Sequence, residues 1–433
     1  MKDQVRGGSA VIVLVIALGA CASAQNAESQ SPPPVSPSPN VDITIANYPG
    51  LPLDEILRGF EAANPGISVE ITGVPDGAGA TRPSLSDDLE GSGLADVVLV
   101  GDDGLASVFA SADRFSDLAD VGPEADPLPW AAERGADDQG QVLAVPVTIE
   151  SAALCFRGDL LATAGIASSR EELAALLGGD SGDWETYFDV GRRYHAATDQ
   201  AWFDQPEMIW RAMVSQLPAS SSADDALKAP DSELRARWNL LVEAMVSGLS
   251  AHQEAWNWDG GSGFVDGSFA TFPCPHWAID LVEANTIAAG GDEGTGWDVA
   301  DVFPGGGWSW AGVYAAQSSE STHPDEASAL VAWLTAPEQQ ARFYSAGVGV
   351  PSDTRAVDAL AQDGGVRAFF DGAPVPAIVS ARALRVPEGA MGAEELQRVL
   401  DAFLPLLHDV DSGAVDAPTA WARATMLLTE GQS

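Results

Sequence analysis

Ala95-Asp96-Val97-Val98-Leu99-Val100-Gly101-Asp102-Asp103-Gly104 is the stretch on which the fold turns. From Val97 to Val100 the apolar run has no polar alternation, which is the pattern of a parallel strand covered on both faces. Gly and Asp follow at its carboxyl end, and in open α/β sheets ligands bind in the crevice outside such ends. Upstream the chain supplies a matching unit. Val41, Ile43 and Ile45 alternate with polar residues as a first strand, and Leu53, Ile56, Leu57 and Phe60 recur on one helical face. Asn64-Pro65-Gly66 stops that helix, and Ile67, Val69 and Ile71 make a second strand. A Gly-rich segment and a short helix around 85–89 complete the approach.

Downstream, residues 142–149 read as another apolar strand ending in Glu150-Ser151. Leu154-Cys155-Phe156-Arg157 then leads into a helix from Asp159. Helices are expected over 184–193, 206–216 and 234–246, with Ala201-Trp202-Phe203-Asp204-Gln205 as an aromatic-and-acid loop between the first two. Pro324 and Pro337 open two more, as Pro does at first helical positions. Residues 347–352 read as a chain crossover, and the last third is mostly helical. The fold class is α/β.

Residues 256–312 hold six of the 13 tryptophans: Trp256, Trp258, Trp277, Trp297, Trp308 and Trp310. Most adjoin Gly, Asp or Asn instead of sitting in a regular apolar period. An indole on a turn beside hydrogen-bonding groups presents a flat apolar face that suits a sugar ring, whereas the plainer role for each ring is core packing.

Composition narrows the partners. There are 63 Asp and Glu against 21 Lys and Arg, a formal net charge of −42. Such a surface repels phosphate backbones, which argues against nucleic acid. With 433 residues and 46% apolar content the chain suffices for two domains. At the N-terminus Lys2 and Arg6 precede a nine-residue apolar run from Ala10 to Leu18, too short for a membrane span of ~20 residues and suited to a signal peptide. Leu18-Gly19-Ala20-Cys21 resembles a bacterial lipobox, which implies a signal peptide over 1–20, lipidation of Cys21 and anchoring to the outer face of the cell membrane. Residues 21–40, rich in Ser and Pro, read as a tether. Cys155 and Cys274 then remain as a disulfide candidate in an oxidising compartment. A metal site is the rival, but none of the five histidines stands at ligand spacing to a cysteine pair.

Taken together, these features resemble a known family. The export signal and lipobox, Phe60-Glu-Ala-Ala-Asn-Pro-Gly66 and the Ala95–Val98 strand resemble extracellular solute-binding proteins of family 1, the substrate receptors of ABC-type importers, mostly for sugars. Leu154–Leu160 with Ala164-Gly165-Ile166 resembles the segment after the first interlobe crossing. Gly267–Thr271 with Cys274-Pro275-His276-Trp277 resembles the approach to the sugar platform in actinobacterial members. Gly296–Ala300 with Pro304–Gly307 resembles the return crossing, and Pro337–Gln340 with Val350-Pro351-Ser352 the third. Trp308-Ser309-Trp310 is more aromatic than the usual turn, and His276 and Ala278 depart from the commoner Ala and Met around Trp277. The resemblance implies a periplasmic-binding-protein-like fold, with two α/β lobes joined by three hinge crossovers and a ligand cleft between them. Lobe 1 falls at about 41–148 and 306–348 and lobe 2 at about 149–305 and 349–430. That topology puts both cysteines in one lobe.

Stacking candidates are Trp202, Trp258, Trp277 and Trp308, then Tyr48 and Trp310. Candidates for hydroxyl recognition are Asp204, Glu150, Asp102, Asp103, Asp259 and Asn47. Asp204 follows Trp202-Phe203 directly, and Glu150 ends a crossing strand; any one of 63 acids is otherwise simply solvated. The implied function is a monomeric, lipid-anchored sugar receptor serving an ABC permease, with no cofactor and no metal. The same fold also accommodates a polyamine or peptide, which acidic loops and indoles would suit. Paired carboxylates beside aromatics occur in glycoside hydrolases as well. The chain shows no nucleophile elbow, HExxH helix or Walker loop. Asp409–Gly413 lacks the remaining ligands of a calcium loop and reads as a surface turn.

Overall fold

In the computed structural model the described residues are 40–48, 51–72, 85–91, 93–122, 125–137, 139–219, 232–254 and 258–430, without the side chains of 258–260 and 430. The export signal, Cys21 and the tether up to Pro39 lie outside them, as do Trp256 and the side chains of Trp258 and Asp259.

The sheet begins as the alternation requires. Strand β1 (Val41–Asn47) runs parallel to β2 (Ile67–Thr72) and to β3 (Val97–Gly101), joined by the helix Asp54–Ala63. β3 is covered on both faces. Val97 and Leu99 pack with Ile56, Phe60 and Leu330, while Val98 and Val100 pack with Leu105, Val108 and Tyr314. Its other neighbour, β8 (Ser309–Gln317), is antiparallel, so the sheet is mixed.

β4 (Val145–Arg157) carries the chain from one half of the sheet to the other. Its first half pairs with β8, from Val145 opposite Ala315 to Ser151 opposite Ser309. Its second half lies between β6 (Phe269–Pro275) and β7 (Trp297–Ala300). β5 (Ala201–Phe203) extends β6, and β9 (Val350–Pro351) returns to Thr148 and Ile149. The path is β2-β1-β3-β8-β4-β6-β5, with β7 and β9 on β4.

Two expectations need correction. The strand does not end at Glu150-Ser151: 13 residues are continuous, because register shifts between Pro146 and Thr148 and between Ile149 and Ser151 let β4 exchange partners without stopping. The Ala201–Gln205 segment is not wholly a loop, since Ala201–Phe203 is a strand in which Ala201 and Phe203 pair with Phe269 and Thr271.

Cys155 and Cys274 are bridged, with Cα atoms 5.7 Å apart, inside a core that includes Phe272, Val299 and Val379. Closing a loop of 119 residues removes roughly 5 kcal/mol of denatured-state entropy in the chain-entropy account. The short helix Pro129–Arg134 ties the halves together. Its Trp130 packs with Ile378 and Val379, and Nε1 donates to the Ala383 carbonyl at 2.9 Å. Among the described residues no helix is long and apolar enough to cross a membrane.

Candidate ligand cleft

At the carboxyl end of β3 the backbone enters the helix Asp102–Ala110, which places two carboxylates in its first turn, where the helix dipole favours negative charge. A cavity of about 430 Å³ opens there. It is lined by Asp102, Asp103 and Arg134, by Arg211, Trp308 and Trp310, and by Met391 and Gln397 from the C-terminal helical region. Asp102 accepts from Arg134 Nη1 at 3.0 Å. Burial pushes its carboxyl up to about 6, with the Arg134 charge pulling the other way.

Arg211 sits on the helix Pro206–Ser215, one turn after Glu207, and donates from Nε to Glu207 Oε1 at 3.0 Å. Burial works against the Glu207 charge, yet His408 and Arg211 together hold the carboxyl below its ordinary value. The Arg211 guanidinium lies over Trp310, 5.0 Å from the ring centroid.

From Trp310 an aromatic ladder runs inward. Trp308 meets it edge-on at 5.7 Å and Trp277 at 5.8 Å, and Phe303 backs Trp308 at 5.7 Å. Trp277 is the second residue of the helix His276–Ala288, and its backbone N–H donates to Glu150 Oε2 at 3.2 Å. Glu150 therefore sits between the crossing strand and a helix N-terminus. Burial pushes its carboxyl up to about 8, against that hydrogen bond. His276 lies beside it, Nδ1 3.9 Å from Glu150 Oε2, with its ring 5.1 Å from Tyr344. Burial pushes this imidazole down to about 4. The assembly joins half-buried indole edges and faces to fixed hydrogen-bonding groups, which is what a polyhydroxylated ring needs.

Sequence and structure agree unevenly on these residues. Asp102, Asp103, Trp308 and Trp310 line the cavity, and Trp277 with Glu150 joins them through the ladder. Trp308 is only 2% exposed and supports Trp310 more than it offers a face. Trp202 and Asp204 lie elsewhere. Both are 0% exposed, because β5 runs through the interior; the Trp202 ring sits 5.5 Å from Tyr187 and 5.7 Å from Tyr194. Tyr48 is half-buried outside the cavity lining and donates to Asp88. Asn47 spends its amide closing a turn, through Nδ2 to Leu51 O at 2.8 Å and Oδ1 from Leu51 N at 2.9 Å.

Arg134, Arg211 and Gln397 escaped the sequence reading. Only the i,i+4 spacing of Glu207 and Arg211 on one helix was there to be noticed, and that spacing carries no direction. Among the described residues no group of three or more His, Cys, Asp or Glu is arranged to hold a metal ion.

A family model for the bacterial extracellular solute-binding proteins matches residues 55–367. A crystal structure of an extracellular solute-binding protein of family 1 is 32% identical, covering 91% of this chain and all of its own, with a TM-score of 0.79. The sugar-binding protein MalE of Xanthomonas citri is 18% identical over 90% of this chain and 98% of its own, with a TM-score of 0.66. The cyclic alpha-maltosyl-1,6-maltose binding protein of Arthrobacter globiformis is 16% identical, again over 90% and 98%, with a TM-score of 0.63. At these last two identities the likeness is one of fold. No curated protein sequence matches significantly.

Proposed function

The chain belongs to the bacterial extracellular solute-binding proteins, and from that premise we propose that it is the carbohydrate receptor of an ABC importer. In this reading it binds a sugar or oligosaccharide between two lobes, over 41–148 with 306–348 and 149–305 with 349–430, and delivers it as a monomer to the permease. Lipid on Cys21 and the tether over 21–40 hold it at the outer face of the cell membrane. Ligand touching both walls of the cleft favours the closed form by its differential affinity.

The observation that carries the reading is the ladder Trp308–Trp310–Trp277, bracketed by Glu150 at one end and the charged groups of the cleft at the other. Two fold relatives, MalE and the Arthrobacter protein, are themselves sugar-binding proteins.

Thermal unfolding of the chain 41–433 against saccharides, polyamines and peptides tests it. A ligand bound only by the folded state at 100 times its Kd adds about 2.7 kcal/mol of stability. A raised midpoint with one sugar class, recovered intact, is the expected result. A response to polyamine or peptide alone would keep the fold and replace the ligand, and sugar breakdown would make the protein an enzyme. Replacing Cys21 should release the protein into the medium; retention on cells would sink the anchor.

A further inference from the structure

The helix Pro206–Ser215 brings into the cleft a guanidinium whose hydrogen-bonding capacity is mostly unspent. Arg211 commits Nε to Glu207 and its face to Trp310. Among the described residues its two Nη atoms have no hydrogen-bond partner, and the side chain, 27% exposed, lines the cavity. The neighbouring polar groups are otherwise occupied. Ser215 Oγ donates to Ala212 O at 3.1 Å, Ser309 Oγ to Ala311 O at 2.8 Å and Gln397 Nε2 to Asp401 at 2.7 Å. Arg134 commits Nη1 to Asp102, a carboxylate of the cavity itself, and is less exposed than Arg211, 16% against 27%.

The edge of Arg211 left open is a planar fork of parallel N–H donors beside an indole. Two oxygens of a carboxylate match that fork bidentately, in a way single hydroxyls do not. The fork is also held in place. Glu207 is 6% exposed and accepts Arg211 on one oxygen, while His408 Nε2 approaches the other at 3.4 Å. Asp102 and Asp103 line the same cavity, so a carboxylate entering it is repelled by them and drawn to Arg211. Since the chain carries −42 overall, affinity for an acidic ligand has to come from such a local cation.

Resting on the carbohydrate reading, we infer that the cleft takes a saccharide bearing a carboxylate, a uronic acid unit. Arg211 is its specificity-determining residue, and Glu207 is the positioning residue that aims it.

The test is calorimetric titration of the protein with a matched pair, a disaccharide ending in glucuronic acid and its glucose counterpart. The acidic member should bind about 10- to 100-fold more tightly, the range for a charged hydrogen-bonded pair. Arg211→Gln should abolish that ratio. Arg211→Lys, which keeps the charge and protects Glu207 from being buried alone, should reduce it by losing the fork. Glu207→Gln should lower the ratio too, whereas a merely structural Glu207 would lower the melting temperature and both affinities alike. Equal binding of the pair, or a ratio surviving Arg211→Gln, would overturn the inference and leave the carbohydrate reading standing. Absence of binding by any saccharide would overturn both.

Discussion

Trp202 and Trp310 stand in similar company along the chain. Trp202 has Asp204 two residues on, and Trp310 has Trp308 two residues back with Gly312 two residues on. In the folded protein they have opposite surroundings. Trp202 is packed among Tyr187, Tyr194 and the helix Trp184–Thr198, so tightly that a Cβ at Gly191 would come within 2.5 Å of the indole. Trp310 is half-buried at the cleft, with Arg211 on its face and two indoles at its edges. Position within the sheet separates the two, and local composition does not. Trp202 is mid-strand on β5 with helices over it. Trp310 is the second residue of β8, where the strand leaves the cavity beside the crossing strand.

The largest way to break this contrast is Trp202→Ala. A buried indole lost from a packed core costs about 3–5 kcal/mol. Chemical denaturation should show the loss, while ligand affinity of the remaining folded protein stays within about twofold, by the additivity of distant sites. An affinity loss of tenfold or more at unchanged stability would return Trp202 to the site.

Trp310→Ala should do the reverse. Binding of the preferred saccharide should weaken by about 1–3 kcal/mol, as for other aromatic contacts in recognition sites, with a smaller fall in stability because the ring is only half-buried. Isothermal titration and a melt on the same sample separate the two terms. Unchanged affinity would mean that the ladder merely braces β8 against the helix His276–Ala288.

The same contrast explains what could be read in advance. The β1–β2–β3 unit was legible because period-two alternation, one helical face and a fully apolar run each demand a distinct environment. The helices beginning at Pro206, Pro324 and Pro337 were legible through their first residue. β5 was not, since three residues give no period and Asp204 resembles a loop acid. The continuity of β4 was hidden because Glu150 and Ser151 interrupt its apolar run. Ser151 is satisfied only by a distant group, its Oγ donating to Val379 O at 2.8 Å. The cleft itself was half legible. Asp102 announces itself at the end of β3, but its meeting with Arg134, Arg211 and Trp310 depends on segments up to about 200 residues apart, brought together by sheet order. No local signal encodes that convergence.

Tyr48 tests the division at its finest scale, because it carries a ring like the cleft residues but a partner like the core ones. Its hydroxyl donates to Asp88, and burial first, then the Asp88 carboxylate, hold the phenol above its ordinary pKa, so it remains a protonated donor at any physiological pH. Its ring packs against the core of Val98, Val100, Leu105 and Tyr314, which excludes the ladder. Tyr48→Phe removes the hydroxyl and keeps the ring. The expected cost is about 0.5–1.5 kcal/mol of stability, the net worth of one hydrogen bond whose half-buried acceptor can turn to water. Affinity for saccharide should not change. Should the substitution instead weaken binding tenfold with the melting temperature intact, the phenol would belong to the ligand, and the boundary between supporting and contacting aromatics would have to move outward to include β1.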